Sequence, residues 1–188
     1  SKHSLRRRSA CSILDILFNF LTAWLAPILC FTAEEAWKSR EGNKTESVHL
    51  RLFPDVPDEW SSDNSLEKWD IIRNVRKVIN GAIELERREK RIGSSLEVKP
   101  KVFLEKSKYE MCYQEDMEDI CITSDIDIIN ENYEGEAFSL PDVTGVAVLI
   151  EAAEGEKCLR CWKVLNEVKI NEGICDRCLE VVNEQKSE

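Results

Sequence analysis

The chain of 188 residues carries a formal net charge of −10, with 43% hydrophobic and 33% charged residues, a composition that suits one medium globular domain or two small ones. Its longest apolar stretch, residues 13–31, is interrupted by Asp15, Asn19, Thr22 and Pro27, which excludes a membrane span of ~18 unbroken apolar residues. Arg6, Arg7 and Arg8 precede that stretch but no small-residue cleavage site ends it, which excludes a signal peptide and makes the cytoplasm the expected compartment, with no membrane partner.

In chain order, the first predicted element is an amphipathic helix over Leu5–Leu25, with Ile13, Leu14, Leu17, Phe18, Leu21, Trp24 and Leu25 at helical spacing as its buried stripe. Pro27 ends or kinks it. Thr32 followed by Glu35 has the form of a capping box and predicts a short helix through Ala36 and Trp37, ended by Gly42-Asn43. Trp24 and Trp37 are expected in the core. Residues 43–63, with Pro54 and Pro57, predict an extended connector. A long helix then starts near Asn64-Ser65 and runs to about Arg91, burying Leu66, Trp69, Ile72, Val75, Ile79, Ala82 (or Ile83) and Leu85, with Gly93 as C-cap.

Beyond Gly93 the pattern changes. Lys99–Glu105 alternates as a strand, Lys106–Met117 predicts a helix, Asp119–Thr123 and Asp125–Asn130 predict strands, and Gly145–Ala152 is strongly β-forming. The expected class is α+β: part of an antiparallel helical bundle over residues 1–92, a small α+β unit over 93–153, a cysteine module over 154–183 and a polar, frayed tail over 184–188.

Eight cysteines fall into two kinds. Cys11, Cys30, Cys112 and Cys121 stand alone, as small core hydrophobes do in a reducing compartment. The other four form two C-x-x-C pairs, Cys158/Cys161 and Cys175/Cys178, thirteen residues apart. Two such turns bring four thiolates to the corners of a tetrahedron, the geometry and softness that Zn2+ prefers. Four protein ligands leave no open position, so the site is structural. Gly173 suits the turn before the second pair, and Arg160, Lys163 and Arg177 offset part of the charge of a Zn–S4 centre. Redox C-x-x-C pairs and unligated core thiols are the competing readings; a redox pair opens a helix after a strand, and nothing in the pattern supports that here. Four thiolates also accept iron.

Residues 24–37, Trp24-Leu25-Ala26-Pro27-Ile28-Leu29-Cys30-Phe31-Thr32-Ala33-Glu34-Glu35-Ala36-Trp37, closely resemble the anticodon-binding helical domain of bacterial isoleucyl-tRNA synthetases. Ser47-Val48-His49-Leu50 with Phe53-Pro54, the run from Arg87 to Glu97, and Gly155-Glu156-Lys157-Cys158-Leu159-Arg160-Cys161-Trp162 followed by Gly173 to Cys178 resemble later segments of the same family, in the same order. The resemblance implies the C-terminal part of such an enzyme, with isoleucine tRNA and the rest of the synthetase as partners. The family's His-x-Gly-His and Lys-Met-Ser-Lys-Ser motifs are absent, so the catalytic residues, and with them ATP and Mg2+, map to nothing in this sequence. The start at Ser1 without an initiator Met fits a fragment that enters the helical domain part-way.

The resemblance implies that the region grips the anticodon stem and loop. Arg6, Arg7 and Arg8 form one short basic run. Arg73, Arg76 and Lys77, then Arg87, Arg88, Lys90 and Arg91, recur along the long helix at spacings that put several on one face, as contacts to a phosphate backbone require. Arg160, Lys163, Arg177 and Trp162 are the candidates on the cysteine module, the indole as a base-stacking platform. Each has a plainer reading: a solvated helix face, intrahelical pairs such as Glu84–Arg88 and Glu86–Lys90, or, for Trp162, packing over the metal. Eight basic against five acidic residues lie between Leu66 and Ile92, whereas Glu110–Asp142 holds eleven acidic residues and no Lys or Arg, so nucleic acid is not expected against the latter. Glu34-Glu35 is explained by helix capping, and His3 and His49 stand apart from any ligand spacing.

Two other functions fit the cysteine spacing: a free-standing zinc-ribbon interaction module docking through its acidic segment, and the finger of a DNA-repair glycosylase. The latter family uses an N-terminal Pro followed by Glu as its catalytic pair, and this chain begins Ser1-Lys2. DNA is therefore not an expected partner.

Overall fold

A computed structural model describes residues 4–41, 46–61, 63–133, 135–169 and 173–186. His3, Gly42 and Asn43, about which expectations were stated above, lie outside them. The chain divides into two compact units, residues 1–61 and 62–188, and among the described residues no helix is long and apolar enough to cross a membrane.

In the first unit α1 spans Leu5–Leu25 as predicted, opened by Ser4, whose side chain accepts from the Arg7 N–H. After a turn over 26–29, α2 spans Cys30–Glu41. The expected capping box is not formed. Helical hydrogen bonding has already resumed with Ala33 N–H donating to the Leu29 carbonyl, so Thr32 lies inside α2. Glu34 instead reaches forward to the 3₁₀ turn Val48–Leu50, accepting from the Val48 N–H at 2.8 Å and the Ser47 hydroxyl at 3.0 Å. The Lys38 ammonium and those two donors hold its carboxyl down at about 2. Arg51 fills the space beside this turn. It donates to Thr22 and the Asn19 carbonyl at 3.3 Å each, and its guanidinium lies 4.1 Å from the Trp37 ring centroid. The small core holds Ala26, Ala33 and Val48 with Trp37 against them.

The predicted stripe of α1 is not buried. Only Thr22 and Ala23 are, and Ile13, Leu14 and Leu17 are exposed, as are Phe31 (91%) and Leu52 (90%). Trp24, expected in the core, is 41% exposed and meets the Phe20 ring edge-on. Periodicity selects the face that is apolar; a buried face also needs a covering element, and α2 reaches only part of it, through Trp37 stacked on Phe18 with ring centroids 6.3 Å apart.

The second unit is built on α3, Asp63–Arg88. Its termination differs from the expected Gly93 cap. Lys90 takes the left-handed conformation (φ 59°), with the Arg91 N–H on the Glu86 carbonyl and the Lys90 N–H on that of Arg87, the paired bonds of a Schellman motif. The Arg91 guanidinium closes back on the Glu86 carboxylate at 2.6 Å, displacing the Glu86–Lys90 pair, and Arg87 likewise takes Glu84 at a spacing of three.

Four strands follow: β1 (Val98–Leu104), β2 (Asp127–Ile129), β3 (Phe138–Leu140) and β4 (Val143–Ala152), in the order β2-β1-β4-β3. Strand β1 runs parallel to β2 and antiparallel to β4, with Val102 opposite both Ile128 and Val148. Alternation sorts β1 onto two faces. Val98, Val102 and Leu104 join Ile72, Val75, Ile79, Ala82 and Ile83 of α3 in the main core. On the other face Lys99 is bridged by Asp125 and Asp127 at 2.9 Å each, and Lys101 pairs with Glu151 at 2.7 Å.

Because α3 and the sheet share one core, the second compact unit takes in α3. Leu66 and Trp69, at the start of α3, are exposed. The helix expected over Lys106–Met117 is two, α4 (Lys106–Cys112) and α5 (Met117–Cys121). The strand expected over Asp119–Thr123 is therefore absent: Met117 and Cys121, four apart, both face the core, and the left-handed Ile122 ends the turn.

Candidate metal centre and nucleic-acid interface

Past β4 the chain makes a two-stranded hairpin, β5 (Glu156–Lys157) with β6 (Val164–Leu165), and closes with helix α6, Asp176–Lys186. Residues 184–186, expected in a frayed tail, are thus helical. Gly155 enters the hairpin at φ 117°, and a Cβ there would lie 2.3 Å from the Leu165 carbonyl carbon, so the approach of the two strands requires glycine. The first C-x-x-C pair sits in the tip of the hairpin. Cys158 and Lys163 are joined by N–H···O at 2.9 Å, and the Trp162 N–H returns to the Cys158 carbonyl at 2.9 Å. The second pair opens α6. Gly173, at φ 93°, accepts from the Leu159 N–H at 2.9 Å and fastens one loop to the other.

The two loops gather Cys158, Cys161, Cys175 and Cys178 so that all four Sγ atoms lie within 4.8 Å of one another, a group suited to a metal ion. Cys161 and Cys175 Sγ are 3.6 Å apart, close to the ~3.8 Å that tetrahedral sulfurs at ~2.3 Å from Zn2+ keep. Cys158 accepts from the backbone N–H groups of Cys161 and Cys175 at 3.5 and 3.4 Å. Three of the four are buried beside Val168 and Ile174, with Cys161 half-buried. Burial pushes the Cys158 thiol up, but hydrogen bonds from the backbone of Cys161, Cys175 and Arg160 outweigh it and bring the group to about 6. Burial lifts Cys175 to about 12, with the adjoining thiols adding to the rise. Metal ligation needs the thiols deprotonated, and a cation held among four clustered sulfurs offsets their mutual repulsion.

Arg160 donates to Cys178 Sγ at 3.7 Å. Arg177, against the cost of its burial, is raised above its ordinary value by its hydrogen bond to Cys161. Both therefore sit at the sulfurs. Lys163 does not: it pairs with Asp119 at 2.8 Å, with its side chain only 18% exposed. Trp162 does not cover the sulfurs. It is 62% exposed at φ 68°, a left-handed conformation that turns the indole outward, with Lys157 Nζ 5.9 Å from its centroid.

The other basic candidates divide. Arg73 pairs with Asp70, Arg87 with Glu84, and Arg91 with Glu86 and Glu89. Lys77 holds Asp142 at 2.6 Å, and Arg76 donates to the Ile120 carbonyl at 2.9 Å. Those residues stitch α3 to itself, to α5 and to the β3–β4 turn. Arg88 and Lys90, at the end of α3, are exposed without a partner among the described residues, as are Arg7 and Arg8 on α1. Arg6 is exposed with a contact of its own. Lys157, beside Trp162, was not singled out from the sequence; its position on the rim of the module comes from the hairpin register, which the cysteine spacing alone does not define.

Residues 1–102 match the family described as "Anticodon-binding domain of tRNA ligase". The chain belongs to this family of anticodon-binding domains. Residues 155–181 match a second family, "Zinc finger found in FPG and IleRS". That finger is common to the glycosylase and synthetase readings, so the match over 1–102 is what separates them. The chain is 46% identical over 176 residues to the isoleucine–tRNA ligase of Ruegeria pomeroyi, covering 92% of this chain and 18% of that protein. It is 46% identical over 166 residues to that of Agrobacterium fabrum (88% and 17%) and 41% identical over 163 residues to that of Bradyrhizobium diazoefficiens (86% and 16%). The anticodon-binding chain thus spans less than a fifth of the length of these relatives.

Proposed function

We propose that this chain is the anticodon-side, tRNA-binding portion of an isoleucine–tRNA ligase working in the cytoplasm, and that Cys158, Cys161, Cys175 and Cys178 hold one structural Zn2+. The observation that carries the reading is the order of its parts: an anticodon-binding match, then a zinc-finger match, across a chain whose similarity to isoleucine–tRNA ligases runs through nine-tenths of its length. Joining isoleucine to its tRNA, with ATP and Mg2+, belongs to the remainder of such an enzyme; this portion binds and orients the RNA. The zinc, when bound, supplies the cation that four clustered thiolates require and fixes the two loops, with no open position for chemistry.

Arg88, Lys90, Lys157 and Trp162 are the contacts of choice on the second unit, and Arg6, Arg7 and Arg8 on the first. The cations neutralise phosphates, and the indole stacks on an unpaired base. The test is fluorescence anisotropy of an anticodon stem–loop RNA across a salt series. In R88A/K90A the slope of log K against log salt should flatten by about 0.7–0.9 per lost phosphate contact. An unchanged slope would remove these residues from the interface.

A further inference from the structure

The acidic stretch between Glu110 and Asp142 has no part in the resemblance, yet two of its residues seize the cysteine module. Asp119 on α5 accepts from Lys163 Nζ at 2.8 Å. Its charge also acts on Arg177, beside the second cysteine loop. Five residues on, the buried Ser124 hydroxyl donates to the Leu96 carbonyl at 2.5 Å and accepts from the Val164 N–H at 2.7 Å. Leu96 belongs to the turn before β1 and Val164 opens β6, so one hydroxyl joins the sheet, the acidic segment and the module. Neither contact assembles the cysteine cage, which the module's own turns bring together. Between the Ala153 N–H, fastened to the Glu97 carbonyl at 2.9 Å, and the hairpin there are only Glu154 and Gly155, a hinge about which an unheld module would pivot.

We infer that Asp119 and Ser124 are positioning residues that lock the cysteine module against the α3–sheet body, so that the exposed Trp162–Lys157 face meets RNA from a fixed platform. The RNA half rests on the proposed function; the locking half does not. Preorganisation of this kind removes the ordering cost from binding.

The locking and RNA-binding halves can be read separately in the zinc-loaded full chain. D119N, K163Q and the double variant are compared with K163R, which keeps the charge, by hydrogen exchange, zinc stoichiometry and affinity for the anticodon stem–loop RNA. Either neutralising change should speed exchange over residues 156–168 about tenfold, leave β1 and β4 protected and keep one zinc per chain. The double variant should be no worse than either single, because the two residues act through each other, and K163R should behave as the parent. RNA affinity should fall about tenfold in both singles. The sign for D119N is the discriminating result. Removing a negative charge strengthens binding to a polyanion by simple electrostatics, and only a positioning role predicts weaker binding. Unchanged exchange in both singles would overturn the lock, and loss of affinity in K163Q alone would reassign Lys163 to the RNA. If the parent chain binds no RNA, the proposed function fails while the exchange measurements still decide the lock.

Discussion

The division at residue 61/62 is open to a direct mutational test through Ile79. This side chain is fully buried in α3, packed in the core that also holds Val98, Val102, Val146 and Val148 of the sheet. Ile79→Ala removes three side-chain carbons, or ~2.4 kcal/mol of transfer free energy at ~0.8 kcal/mol each. The cavity left in a rigid helix–sheet interface raises the cost to about 3–4 kcal/mol. With an m-value near ~2 kcal/mol/M, the urea midpoint of the second unit should fall by ~1.5–2 M. Hydrogen exchange locates the effect. Amides of β1 and β4 should open more than a hundredfold faster, since each 1.4 kcal/mol is about tenfold, while amides of α1 and α2 stay as they were. A cost below ~1 kcal/mol, or faster exchange confined to residues 5–41, would refute the shared core and return α3 to the helical unit.

Two further outcomes follow from named contacts. Glu34 has a folded value of about 2 against an ordinary 4.5. A depressed carboxylate stabilises the folded state fully above its unfolded value and loses that contribution as pH falls through its folded value. Thermal unfolding of the chain and of E34Q should therefore differ most above pH 4.5 and converge toward pH 2, and parallel curves across that range would refute the assignment. Gly155→Ala forces a Cβ to 2.3 Å from the Leu165 backbone at φ 117°. It should cost about 1–3 kcal/mol, seen as lost protection over the β5–β6 hairpin with β1 and β4 intact; a neutral substitution would show that the hairpin approaches less closely than described.

Local signals proved legible where one segment determines its own structure. The bounds of α1, the strand character of β1 and β4 and the grouping of the four cysteines all follow from periodicity and spacing within a short window. What failed depends on distant partners. Glu34 looked like a capping residue because nothing nearby announces that Ser47 and Val48 return to it. Cys121 lies in the segment Asp119–Thr123, expected as a strand, yet it faces the core together with Met117 from helix α5. The basic residues of α3 shared one apparent face in the sequence, and the structure spends Arg76 and Lys77 on α5 and Asp142, leaving Arg88 and Lys90 at the helix end. In the same way Lys163, expected at the RNA, closes on Asp119 from a segment that composition alone had set aside.

The central claim is most directly tested by titrating isoleucine tRNA and an unrelated tRNA at one stated salt concentration, each against zinc-loaded and zinc-stripped chain. The account predicts tighter binding of isoleucine tRNA by the zinc-loaded protein and loss of that preference when the metal is removed. Equal affinity for both RNAs by a folded, zinc-loaded chain, or a preference that survives verified metal removal, would contradict it.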